Sequence, residues 1–416
     1  MTWRAALAAR AEGMDVHMAA DEVDLLDLTP FEEGADGAVF RVLRDHDPLH
    51  WNDEPDGPGF WSVTRFEDVK TVASEHELFT AVEGTQIKSR RAEGEGERSI
   101  HHLDPPRHGP LRRIVVPHVR PARIRSLESD IVAVIDDLLD GAVGAGEFDF
   151  VGRIAAQLPL VMIGRLLGAP VEDCPHLLRW TNQMASEDPD YSEGPETAVK
   201  AREEVFAYFR DLEAQRRACR AGDLVSVLTA AEIDGVPLNR GQLDAYYLIL
   251  MVAGNETTRN LLSGAMVTLH DHPDQWALAR REPGRIPALV EELVRWVSPV
   301  LSMRRTATRD LEMHGRTVRA GDKVVMWYCS ANRDERVFRD ADRFVADRTP
   351  NEHMGFGWGV HACLGAHLAR LEARLFLRRL VERNLGVDLR GEPARLRSNF
   401  FRGIKRLPVT ISERAS

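Results

Sequence analysis

From about residue 125 to 300, apolar residues recur at three- and four-residue intervals almost throughout, the spacing that gathers them on one side of a helix. The same pattern covers Ala35 to Asp45 and, near the end, Leu364 to Val381. Strand-like pieces are few. They are HWNDEP and GFWSVTR in the first hundred residues, and TATRDLEMHGRTVRAGDKVVMWY around 305–330, where HG and AGD mark hairpin turns. The pattern predicts a mainly α chain with a minor β part. Two polar segments, roughly 82–99 and 185–197, read as long functional loops. Neither an internal repeat nor a linker appears.

One helical stretch carries a contradiction. Leu243 to Leu269 reads LDAYYLILMVAGNETTRNLLSGAMVTL, an apolar helical pattern interrupted at its middle by Gly254, Asn255, Glu256, Thr257 and Thr258. Burying a carboxylate beside a hydroxyl costs several kcal/mol unless the groups are paired or put to use.

Composition narrows the classes. The length of 416 residues alone suggests two or three domains. A net charge of −11 gives a nucleic-acid partner no electrostatic help. No apolar run approaches the ~18 residues of a membrane span. The opening MTWRAALAARAEGMDVH breaks its apolar run with charges, unlike a signal peptide. Cys174, Cys219, Cys329 and Cys363 show no CxxC spacing, so neither a disulfide framework nor a zinc ribbon is indicated. A cytoplasmic protein is expected.

The most informative segment is HMGFGWGVHACLGAHLARLEARL, His353 to Leu375. Gly355, Gly357 and Gly359 precede Cys363, and Gly365 follows where a helix begins. A thiolate at a helix start is stabilised by free N–H groups. Glycines tolerate positive φ and let a backbone approach a flat ligand closely. Plainer readings exist: a lone cysteine is usually a small buried hydrophobe, and His361 with Cys363 forms half of a metal site. GFGWGV does not supply the nucleotide-binding spacing GxGxxG.

Phe356-Gly357-x-Gly359-x-His361-x-Cys363-Leu364-Gly365 resembles the haem-ligating signature of the cytochrome P450 monooxygenases, with every fixed position filled. The resemblance implies that Cys363 is the proximal thiolate and that Phe356 packs beside the macrocycle. Thiolate ligation pushes electron density onto the iron and favours O–O cleavage. Other segments extend the likeness. Glu292 and Arg295 in ALVEELVRWVSPV share a helix face; alone they read as a common surface ion pair. They are similar to the family's Glu-x-x-Arg motif, whose third member would be Arg343, with Glu291 as a competing partner. HHLDPPRHGPLRRIV resembles the segment whose His and Arg bind the haem propionates, here His108 and Arg112. Arg305, with Arg304 as a rival, and His361 complete that set by resemblance. VAGNETTRN looks like the family's acid–alcohol pair over the iron, assigning proton relay to Glu256 and the alcohol to Thr257. Gly254 would let the ligand approach, and Thr257 has the carbonyl of Ala253 within reach.

The likeness spans nearly the whole chain. It implies one domain, 1–416, of the cytochrome P450 fold, with haem between the distal long helix and the proximal cysteine loop. It further implies haem b, O2 as co-substrate, and oxygen insertion into an apolar small molecule. The chain shows no flavin or iron–sulfur motif, so electrons are expected from a ferredoxin and its reductase. Pro105 to Arg125 holds six arginines and no acid, and Arg113, Arg120 and Arg123 would form a basic patch for that partner. Ile249, Ala253 and Leu301 are expected in the substrate pocket, closed by the two polar loops, with Phe400 and Phe401 near its mouth. AGNETTRN and RLRSNFFRGIKRLPV resemble actinobacterial sterol, terpenoid and branched-lipid hydroxylases; a tailoring oxidase of polyketides or other secondary metabolites is the alternative. A thiolate-haem gas or redox sensor would need Cys363 but no proton relay, so Glu256 and Thr257 argue for oxygen activation.

Overall fold

The computed structural model describes residue 20 and residues 22–88, 98–185, 194–219 and 221–414. These gather into two compact units. The first comprises the described residues of Met1–Glu93 with Glu291–Cys363 and Arg395–Arg402. The second comprises those of Gly94–Val290, Leu364–Ala394 and Gly403–Ser416.

The first unit is built on a five-stranded sheet in the order Leu49–Asn52, Phe60–Val63, Lys323–Trp327, Ser302–Ala307, Phe79–Thr80. Its central strand, Lys323–Trp327, runs parallel to Phe60–Val63 and antiparallel to Ser302–Ala307. One face buries Val63, Phe66, Val324 and Met326; the other buries Phe31, Phe40, Val325 and Trp327. Coverage on both faces explains why VVMW is apolar without alternation. Val324 lies opposite Arg305 and Val325 opposite Arg304, so the two arginines take opposite faces. The HG turn forms as expected between Leu311–Met313 and Arg316–Val318, with His314 and Gly315 at φ of 50° and 71°. The helix expected at Ala35 to Asp45 runs Asp36–His46.

The second unit is a helical assembly that includes Glu128–Ala142, Gln157–Leu167, Cys174–Ala185, Pro195–Ala218, Arg240–Asp271 and Ala366–Glu382. The 32-residue helix Arg240–Asp271 starts at a capping box. Asn239 Oδ1 accepts from the Gln242 N–H at 2.9 Å, and Gln242 Oε1 accepts from the Asn239 N–H at 2.9 Å. The helical reading of 125–300 missed two short β elements here. Phe148–Asp149 joins a sheet with Leu385–Leu389 and Pro408–Glu413, and Glu232–Ile233 pairs with Val236–Pro237. Two-residue strands are too short to show a period, although the Asp234-Gly235 turn was readable. No helix among the described residues is long and apolar enough to cross a membrane.

Candidate functional site

In the first unit the loop before Cys363 closes on itself. The Cys363 N–H donates to Phe356 O at 2.8 Å, and the Gly357 N–H to Met354 O at 2.8 Å. Gly357 and Gly359 have φ of 67° and 69°, where a side chain would be strained. A Cβ on Gly359 would stand 2.9 Å from Ala73 O, and one on Gly355 would overlap Val294. Those two glycines therefore make room for neighbouring protein and not for a ligand, which corrects that part of the expectation. Gly357 differs: nothing lies nearer its Cβ position than Tyr328 Oη at 3.7 Å. Cys363 is exposed, and Phe356 and His361 are half-buried.

Arg305 is buried on its strand, its Nη1 donating to Arg304 O at 2.9 Å. It lies close enough to Tyr328 to offset part of the rise that burial causes in the phenol's pKa. Arg304, its rival, points to the other face, donates to Glu83 O, and has its pKa lowered by burial.

The helix Ile286–Val297 brings Glu292 and Arg295 into the first unit, where both are fully buried. Arg295 grips the carboxylate with Nε and Nη2, each at 2.8 Å. The third member is not Arg343. Its side chain is exposed and only its carbonyl takes part, accepting from Arg295 Nη2 at 3.1 Å. The guanidinium comes from Arg348, whose Nε lies 3.0 Å from Glu292 Oε2. Both arginines occur in the same short segment, and residue spacing alone does not say which turns inward. Glu291 does not compete: it pairs with His353 Nε2 at 3.1 Å.

Leu301 is likewise corrected. Expected in the pocket, it is 1% exposed within the core that holds Phe31 and Trp327. Its N–H donates to Phe400 O at 2.8 Å, which fixes its inward direction. Phe401 is buried and bridges Val300, while Phe400 and Val300 stay half-buried.

In the second unit, His108 opens the helix His108–Val119 and is buried, with Arg112 half-buried one turn on. The middle of Arg240–Asp271 explains its polar residues. Glu256, 1% exposed, accepts at Oε1 from Arg259 Nη2 at 2.5 Å and from Asn260 Nδ2 at 3.1 Å. Arg259 Nη1 also donates to Asn182 Oδ1 at 2.6 Å. Among the described residues, Glu256 Oε2 has no hydrogen-bond partner, nor do the side-chain amide atoms of buried Asn255. The Thr257 hydroxyl donates to Ala253 O at 2.9 Å, as its place one turn on suggested. Ile249 and Thr257 are half-buried and Ala253 exposed, leaving a largely apolar stripe open beside the buried Asn255, Glu256 and Thr258. Gly254 serves packing: a Cβ there would stand 3.1 Å from Ile163 of Gln157–Leu167. This corrects its expected role toward a ligand.

Arg113, Arg120 and Arg123 are exposed. The basic region is wider than the run 105–125. Burial lowers the His367 pKa, as do Arg370, Arg374 and Arg125, so these arginines surround His367 on Ala366–Glu382. Arg370 and Arg374 follow His367 at helical spacing, whereas Arg125 comes from another segment and its nearness is not readable from the sequence. Of the two polar loops, 89–97 and 186–193 lie outside the described residues.

The family model described as Cytochrome P450 matches residues 198–392. Linalool 8-monooxygenase of Pseudomonas putida is 38% identical over 384 residues, covering 90% of this chain and 95% of that one. The chain belongs to the cytochrome P450 family. Steroid C26-monooxygenase of Rhodococcus jostii is 36% identical over 400 residues, covering 93% of this chain and 84% of its own. Among solved structures, a Mycobacterium marinum cytochrome P450 in complex with pseudoionone matches with a TM-score of 0.83 and 34% identity, over 91% of this chain and 95% of that one. The fold is accordingly that of the cytochromes P450, and the chain is a monooxygenase with haem b as cofactor and O2 as co-substrate. The residues present suit that cofactor. Each unit offers a distinct kind of contact: an exposed cysteine at the end of a closed loop in one, and an uncovered apolar stripe beside an incompletely satisfied acid in the other.

Proposed function

We propose that this cytochrome P450 hydroxylates an apolar sterol, terpenoid or branched lipid in the cytoplasm, as one catalytic domain, with electrons from a ferredoxin and its reductase. The acid–alcohol pair on Arg240–Asp271 carries this reading. When bound, the haem supplies a thiolate-ligated iron that activates O2 for insertion of one oxygen atom. Cys363 would ligate its iron, Phe356 would pack beside it, and His108, Arg112, Arg305 and His361 would hold its propionates.

Glu256 supplies the proton path. Oε1 is anchored by Arg259 and Asn260, whereas Oε2 is left to take up a proton and pass it on. The Thr257 hydroxyl, donating to Ala253 O, keeps lone pairs with which to accept a hydrogen bond at the stripe. A sensor has no use for such a pair. Ile249 and Ala253 offer apolar surface and no charged group to a substrate, in keeping with relatives named for linalool and steroid oxidation. The arginines of the run 105–125, with Arg370 and Arg374, give an acidic ferredoxin a basic surface to meet.

The test is the absorption spectrum of the reduced protein with carbon monoxide, for the native chain and for Cys363→Ala. The red-shifted thiolate band is expected in the first and absent from the second. Persistence of the band in Cys363→Ala removes the ligand assignment.

A further inference from the structure

Glu256 and Arg259 repeat a spacing that elsewhere in this chain closes into a fork. Three residues apart on Ile286–Val297, Arg295 engages both oxygens of Glu292, with Nε on Oε2 and Nη2 on Oε1, each at 2.8 Å. At Glu256 the guanidinium engages one oxygen. Arg259 Nη2 donates to Oε1 at 2.5 Å, and Asn260 Nδ2 donates to the same oxygen at 3.1 Å. Oε2 has no partner among the described residues. The three-residue spacing therefore permits either grip and does not choose between them.

The partner of the other terminal nitrogen makes the choice. Arg295 Nη1 donates to two backbone carbonyls, Asn332 O at 2.7 Å and Ala341 O at 2.9 Å. Arg259 Nη1 donates to one side chain, Asn182 Oδ1 at 2.6 Å. A guanidinium is planar and its donors are fixed relative to one another, so the group that holds Nη1 sets which edge faces the acid. Asn182 lies on Cys174–Ala185, a helix packed against Arg240–Asp271. Glu256 and Arg259 share a helix, and an acceptor on a different helix fixes a direction that their own spacing leaves open. Glu256 and Arg259 are buried and Asn182 is half-buried, so the tie is made toward the surface while the uncommitted oxygen stays in the core.

We propose that Asn182 is a positioning residue for the reaction: by holding Arg259 Nη1 it keeps Glu256 anchored through Oε1 and leaves Oε2 for proton transfer. This rests on the reading of Glu256 as the proton relay. Asn182 itself handles no proton. Without its side-chain oxygen, the guanidinium turns its edge onto the carboxylate and closes the fork seen at Glu292.

The experiment compares the haem-loaded native protein with Asn182→Ala, Asn182→Asp and Glu256→Gln. Subtracting the infrared spectrum of Glu256→Gln isolates the Glu256 carboxylate, and the separation of its two C–O stretches reports whether one oxygen or both are engaged. That separation should narrow in Asn182→Ala and stay native in Asn182→Asp, which keeps an acceptor at the same place. O2 consumption driven by an acidic two-iron ferredoxin and its reductase should fall about tenfold in Asn182→Ala, part of the ~10²-fold scale of a lost proton-transfer group. It should stay near native in Asn182→Asp. In a Glu256→Gln background, Asn182→Ala should cost nothing more, because both changes act on one proton path. Losses that multiply in the double variant would mark a merely structural role and overturn the proposal. An unmoved separation in Asn182→Ala, or the same narrowing in Asn182→Asp, would overturn it as well, with the wider reading intact if Glu256→Gln still lowers turnover. A native protein that consumes no O2 under these conditions counts against the wider reading, and the infrared separation then still decides whether Asn182 sets the grip on Glu256.

Discussion

Two buried Glu–Arg pairs in this chain share the same three-residue spacing and are finished differently. Glu292 in the first unit accepts from Arg295, Arg348, the Val345 N–H at 2.9 Å and Asn351 Nδ2 at 3.2 Å. Arg295 spends its remaining donors on the carbonyls of Asn332, Ala341 and Arg343. Glu256 in the second unit has one oxygen anchored and one without a partner among the described residues, beside an Asn255 side-chain amide that likewise finds none there. A fully satisfied buried network rigidifies its surroundings, whereas a half-satisfied one is worse for stability than apolar packing. The first pair is a structural knot. In the proposed function, the second keeps one carboxylate oxygen for proton transfer at a cost to stability.

The comparison can be broken. Arg295→Ala strands a buried carboxylate and should lower stability by about 3–5 kcal/mol in urea unfolding of the haem-loaded protein; a loss below ~1 kcal/mol would show that the knot is not structural. Glu256→Gln should reverse the balance. Turnover is expected to fall by roughly 10²-fold, the scale of a lost proton-transfer group, with a stability loss smaller than that of Arg295→Ala, because the amide oxygen still accepts from Arg259 and Asn260 although the buried guanidinium loses its counter-charge. Collapse of the fold in this variant would make the two pairs alike. Arg348→Ala should cost about 1–3 kcal/mol and Arg343→Ala within ~0.5 kcal/mol. Equal losses in those two would return Arg343 to the network.

Much of the candidate site was legible because its chemistry is local. The loop Phe356 to Gly365, the pair Glu292 and Arg295, and the bond from Thr257 to Ala253 are each set by residues a few positions apart, and periodicity carries such information. The errors share one cause. Arg343 against Arg348, Leu301 in the core and not the pocket, and the ligand-facing roles given to Gly254, Gly355 and Gly359 all depend on which way one residue turns. That direction is decided by neighbours distant in the chain: Glu292 for Arg348, Phe400 O for Leu301, Ile163 for Gly254.

By itself, then, the sequence determined the mainly helical class, the helices and hairpins long enough to show a period, the family, and the residue types that do its chemistry. Only the tertiary structure decided that, among the described residues, Glu256 is anchored through one oxygen alone and that His367 has Arg125 of another segment near it as well as the arginines of its own helix. The reason is that spacing within a helix specifies a face, whereas satisfaction of a buried polar group depends on every element packed against it.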